Sequence, residues 1–138
     1  MTTETRTHSG LEDARQQAAA QLENIAELLR DSNPWTTEEL ELLQALPLEL
    51  LVRGPREGWT VPGAPPPEDW ATPAEFQILL CTGGPAVRLT GRLDWQSCTP
   101  YLVQLEYQSW WTPWTVYPLS SEEVAVLLEF SQLFFWGE

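Results

Sequence analysis

At Glu75 the spacing of the apolar residues changes. Before it, Leu11, Ala14, Ala18, Leu22, Ile25 and Leu29 recur at steps of three and four, the period of one helix face. After it, Phe76, Ile78 and Leu80 recur at every second position, and so do Val87, Leu89, Gly91 and Leu93. Tyr101, Val103, Leu105 and Tyr107 form a third alternating run, and Trp114 with Val116 a fourth. Period two is the mark of strands with one buried face, and short connections between them imply an antiparallel meander. The expected fold class is therefore α+β: N-terminal helices, a meander of four to five strands and a C-terminal helix on one sheet face.

Local signals set the boundaries. Residues 1–10 are polar and read as a flexible tail, followed by a helical, acidic part over 11–46 and an α+β part over 47–138, together one globular unit. Asp31-Ser-Asn-Pro34 stops the first helix. Thr36 with Glu39 forms a capping box for a second helix ending near Ala45, flanked by the staple pair Trp35 and Leu40. A strand is expected around Leu48–Arg53, then a Pro-stiffened connection over 54–74 with three consecutive prolines, Pro65-Pro-Pro67. Ser120 with Glu123, between Leu119 and Val124, repeats the capping device for the last helix. Its apolar stripe is Val124, Leu127, Leu128, Phe134 and Phe135.

The charge excludes some functions. Net charge is −13, from 20 acidic side chains against seven basic ones, all arginine, so direct binding to a nucleic-acid backbone is not expected. An acidic surface suits solubility and attraction to basic partners. Cys81 and Cys98 are not in a C-x-x-C pair, and His8 is the one histidine, so neither a metal site nor a cofactor is expected. Two cysteines in a well-cored chain read as reduced thiols, and no stretch approaches a membrane span or a secretion signal. A cytoplasmic protein is the expectation. The chain has no lysine and hence no phosphate loop, and no nucleophile elbow, zinc-protease or calcium-loop motif, which points away from an enzyme.

Three groups of residues stand out as candidate contacts. Glu23, Glu27 and Asp31 repeat every four positions, a line of carboxylates with a step of about 6 Å. Such a line is ordinarily a solvated helix face, and it is also the pattern of an imitation phosphate backbone that occupies a basic groove. Arg88 and Arg92 project from one strand face, with Glu106 expected opposite them, as a cross-strand ion pair or a polar docking face. Trp110, Trp111 and Trp114 crowd into five residues. Trp114 is expected in the core, while Trp110 and Trp111 sit at the tip, with Trp111 the candidate anchor for a partner. Thr82-Gly-Gly-Pro85 joins two strand patterns and reads as a hairpin turn rather than an anion nest.

Several strings occur together: Gly58-Trp-Thr-Val-Pro-Gly-Ala64, Leu79-Leu-Cys-Thr-Gly-Gly-Pro-Ala-Val-Arg88, Gly91-Arg-Leu-Asp94 and the ending Phe135-Trp-Gly-Glu138. Over residues 48–138 the chain resembles a family of small proteins encoded on bacteriophages, plasmids and other mobile elements. Where that family carries Gln-Asp-Trp-Gly-Thr-Pro-Trp-Thr, this chain has Ser109 for the Asp and Trp111 for the Gly. The resemblance supplies no catalytic residues. It implies a mobile-element setting, and with the acidity it suggests a non-catalytic protein that binds and inhibits a host defence protein, of anti-CRISPR or antirestriction type. The alternative is a small-ligand binding module or structural accessory protein, with Trp59, Trp70 and Trp111 lining an apolar gap beside the 54–74 loop.

Overall fold

The computed structural model describes residues 3–30, 36–53, 59–62, 75–82, 84–94, 97–110, 112–134 and 136, the side chains of 3–9 and 39 excepted. The elements run α1 (Thr3–Arg30), α2 (Thr37–Gln44), β1 (Glu49–Arg53), β2 (Glu75–Cys81), β3 (Ala86–Leu93), β4 (Pro100–Gln108), β5 (Thr115–Tyr117) and α3 (Ser121–Ser131). The five strands form one antiparallel sheet in sequence order, a simple meander, and the fold is α+β as the periodicity requires.

Both long helices lie on the same side of the sheet. α1 packs on β3, β4 and α3, and α3 packs on β4. The face α1 buries is the one its spacing announces: Ala14, Ala18, Leu22 and Ile25 are in the core. α1 begins at Thr3, so its backbone takes in most of the stretch expected as a tail. No proline interrupts this stretch. At Gly10 the helix passes so close to the end of β4 that a Cβ would come within 2.5 Å of the Ser109 hydroxyl.

β2 and β3 meet the helices through Phe76, Ile78, Leu80, Val87 and Leu89, all buried. Phe76 pairs across the strands with Gly91. A Cβ at Gly91 would collide with the Leu102 carbonyl oxygen and come within 2.7 Å of the Phe76 ring, so the absent side chain is what lets the two strands carry that ring. Trp136 closes over it, with ring centroids 4.9 Å apart, and its indole Nε1 donates to the Ser131 carbonyl at 2.8 Å. Phe134 then bridges Trp136 and Phe130 by edge-on contacts. α3 starts where expected. The Ser120 hydroxyl accepts from the Glu123 N–H and the Glu123 carboxylate accepts from the Ser120 N–H, a complete capping box. Glu39, Trp35 and Phe135 fall outside the described side chains, so the other box, its staple and that end of the stripe lie outside them as well.

Two positions on the sheet depart from simple alternation. Tyr101 is exposed rather than inward. Gly91 pairs with Val103 and Arg92 with Leu102, but Leu93 pairs with Pro100, so Tyr101 is the extra residue of a bulge and Pro100 takes the buried place. The bulge lies beside the turn closed by Cys98, whose N–H donates to the Asp94 carbonyl and whose φ of 55° is left-handed. Trp114 is also outside the core. Tyr117 pairs with Leu105 and Thr115 with Tyr107, both inward residues, so Val116 and Trp114 fall on the opposite face.

Gly91→Ala is expected to destabilise the protein by at least about 2 kcal/mol, since backbone rather than a flexible side chain must yield. Thermal unfolding followed by circular dichroism checks this. A melting temperature within a degree or so of wild type, about the effect of a neutral surface change, would contradict the close approach.

Candidate functional site

The sheet face turned away from α1 and α3 is covered by no helix among the described residues. Register arranges its side chains in rows. Arg53, Glu75, Arg92 and Leu102 lie side by side across β1 to β4, and the next row holds Leu51, Gln77, Thr90 and Gln104. A third row runs Glu49, Leu79, Arg88, Glu106 and Val116. Three of the seven arginines of a strongly acidic chain therefore share one face.

Two of them are held firmly. Arg88 Nε donates to Glu106 Oε1 at 2.8 Å, and its Nη1 donates to Gln77 Oε1 at 2.8 Å. Thr90 Oγ1 donates to the same Glu106 oxygen at 3.1 Å. The Arg88 guanidinium also lies 4.0 Å from the centre of the Trp114 ring. Trp114 thus serves as a platform for a cation, which is the role that keeps it half-buried on this face. Arg53 repeats the arrangement: it donates through Nε to Glu75 Oε2 and lies 4.5 Å over the ring of Trp59. Trp59 reaches it because Thr60 exchanges both backbone hydrogen bonds with Val52, laying the 59–62 segment along the outer edge of β1. Between these fixed points is a cleft of about 280 Å³, with Arg53, Trp59, Glu75, Arg92, Gln104 and Glu106 among its walls. Trp59 thus lines a polar cleft on the sheet face, and the expected apolar gap beside the 54–74 loop falls largely outside the described residues. Trp70 and Trp111 lie outside the described residues.

The structure separates the residues singled out from the sequence. Arg88 and Glu106 form the expected ion pair, whereas Arg92 is exposed and makes no ion pair among the described residues. Trp110 is 71% exposed at the β4–β5 turn. That turn is drawn tight by the Ser109 N–H donating to the Thr112 hydroxyl at 2.9 Å and by Gln108 Nε2 donating to the Thr112 carbonyl at 3.1 Å. Glu23 and Glu27 are exposed on α1, in the opposite layer, and Asp31 lies outside the described residues. Glu23 borders a notch of about 350 Å³ between α1 and α3, whose apolar walls include Leu22, Ala26, Tyr117 and Val126 and whose rim also carries Glu122 and Glu123. The reading of the sequence missed Trp59 as an arginine platform and missed this notch. The first had a signal in the strand that ends at Arg53, six residues before Trp59. The second depends on how two distant helices meet.

Cys81 and Cys98 are unbridged. Burial pushes the Cys81 thiol up from its ordinary range, outweighing a hydrogen bond from the Val87 backbone that acts the other way. Among the described residues no group of three or more His, Cys, Asp and Glu side chains converges to hold a metal ion, and no helix is long and apolar enough to cross a membrane.

Removing the acid of the more buried pair should cost more. The Arg88 and Glu106 side chains are 18% and 14% exposed, against 42% and 33% for Arg53 and Glu75. Glu106→Leu is expected to destabilise by about 2 kcal/mol, by stranding a partly buried charge, and Glu75→Leu by about 1 kcal/mol or less. Urea unfolding of the two variants checks the order, and equal losses would contradict it. For Cys81, a raised thiol pKa means the folded chain keeps its proton where the unfolded chain has lost it. That contribution to stability is whole below the unfolded value of about 8.5 and is lost as pH rises through the folded value. Alkylation of Cys81 by iodoacetamide, followed by mass spectrometry, should run slower than that of free cysteine at the same mildly alkaline pH. A rate equal to free cysteine would contradict it.

No protein-family model, no curated protein and no solved structure matches the chain.

Proposed function

We propose that the protein is a non-catalytic, acidic accessory protein of a mobile element that binds a basic host protein inside the bacterial cell and inhibits it by occupying its nucleic-acid groove. Host defence systems of the CRISPR and restriction type present such grooves. The observation that carries this reading is the separation of charge between the two layers. The three helices hold eleven carboxylates and three arginines, a net of −8, while the five strands hold three of each. Acidity is thus concentrated on the side that α1 presents, where Glu23 and Glu27 stand one helical turn apart at roughly the spacing of successive phosphates.

The notch beside Glu23 adds shape to this charge. An arginine or lysine is apolar along its stem and cationic at its head, which matches apolar walls with a carboxylate rim. Glu123 is already engaged by the Ser120 N–H, leaving Glu23 and Glu122 to meet the cation.

Inhibition by occupancy is stoichiometric and salt-sensitive. The doubly reversed variant Glu23→Arg/Glu27→Arg is expected to lose at least about tenfold in affinity for a captured basic protein, from two charge contacts of about 1 kcal/mol each with their sign reversed. Capture from host lysate at low and high salt, followed by titration of the identified target's activity, checks this. Inhibition that saturates at one equivalent and is lost with the variant supports the reading. Turnover of many targets per molecule, or capture indifferent to both salt and charge reversal, overturns it.

A further inference from the structure

We propose that the cleft on the open sheet face is a binding site for a small oxyanion, a carboxylate or a phosphate monoester on a compact organic molecule. The argument is independent of the acidic helical layer and begins with what the ion pairs leave over. Arg53, Arg88 and Arg92 line the cleft together with Glu75 and Glu106, so its walls carry one surplus positive charge in a chain of net −13, while Glu49 balances the face from outside the cleft. That surplus resides on Arg92. Register sets Arg92 directly opposite Glu75, but Glu75 is engaged by Arg53 on its other side, and Arg92 has no carboxylate within ion-pair distance among the described residues.

The hydrogen-bond inventory leans the same way. Gln77 is 7% exposed, and its orientation is fixed because its Oε1 accepts from Arg88. Its amide Nε2 then has two N–H groups with no acceptor among the described residues. A buried donor without an acceptor is costly and rare in folded proteins. Gln77 and Thr90 are cross-strand neighbours, one row from Arg92. The cleft therefore has unspent donors of two kinds, the Arg92 fork and the outer N–H groups of Arg53, with the Gln77 amide one row away on the same face. Glu75 and Glu106 each already hold an arginine through one carboxylate oxygen. A ligand that answers this brings acceptor oxygens and negative charge.

The site is also prepared in advance. Arg53 and Arg88 are each clamped between a carboxylate and a tryptophan ring, so neither must be immobilised when a ligand arrives. At about 280 Å³ the cleft is at the small end of ligand pockets. It suits a carboxylate or phosphate on a single ring rather than a dinucleotide or a polymer.

The test is titration of the full chain with inorganic phosphate, phenyl phosphate and benzoate, followed through the arginine Nε–Hε resonances. Seven arginines make these signals few enough to assign. The expected result is saturable movement of the Arg92 and Arg53 signals by one of the ring-bearing probes. Saturation by phenyl phosphate points to a phosphate monoester, and saturation by benzoate to a carboxylate. Arg92→Gln should weaken binding about tenfold or more with unchanged circular dichroism, the worth of one charge-assisted contact. Arg92→Lys, which keeps charge but loses the fork, should fall between. Arg15→Gln, exposed on α1 in the opposite layer, should change nothing. Shifts that stay linear in all three probes, or a loss in Arg15→Gln equal to that in Arg92→Gln, would overturn the proposal.

Discussion

The ring of Phe76 occupies the place where Gly91 has no side chain, and the helical layer is arranged around that contact. Because Phe76 sits low against the sheet, Trp136 can lie over it, and Trp136 can do so only if the chain turns back after α3. The turn is held by the indole donating to Ser131 and by the Gln132 amide donating to the Pro100 carbonyl. Gln44 of α2 donates to the Leu133 carbonyl, which ties the second helix to the same place. One glycine thus sets the depth at which an aromatic chain of Phe76, Trp136, Phe134 and Phe130 joins sheet to helix. Each of those rings buries on the order of 150–250 Å², so the joint accounts for a large share of what a chain of this size has to hold it together.

With both long helices on one face, the other face is free to be polar. Charged groups on a sheet gain little when they are solvated and scattered. Here they are ordered instead: each of two arginines is gripped by a glutamate in the plane and a tryptophan above or below it. The tryptophans come from outside the central strands, Trp59 from the segment bordering β1 and Trp114 from the residue before β5. The two sides of the sheet therefore supply the aromatic walls, and strands β1 to β4 supply the charges between them.

Much of this order was legible in the sequence. Alternation through β2 and β3 gave the correct inward residues, and the Ser120–Glu123 box gave the start of α3 to the residue. The misplacement of Tyr101 arises because period two carries no record of a slipped register. Tyr101 sits in phase with Val103 and is nevertheless outside, because the turn at Cys98 inserts a residue into β4. Trp114 continues no long run, since β5 has only three residues, so a packed and an arginine-stacked tryptophan look alike at that length. Trp136 follows the end of α3, where helical spacing no longer applies, and its burial depends on a turn that no local pattern announces. For the candidate site, the Arg88–Glu106 pairing was readable from facing strands. The isolation of Arg92 was not, because it requires knowing that Arg53, 22 residues before Glu75, reaches that carboxylate first.

The division of charge between the layers has a consequence for motion in solution. With a net −8 in its helices against a balanced set of strands, the described part of the molecule is electrostatically lopsided. In the field of a cationic surface such a body experiences torque as well as attraction, and over a Debye length of about 8 Å at physiological salt it turns before it touches. Encounters then begin with the helices foremost, and the sheet face trails, pointed at the solvent.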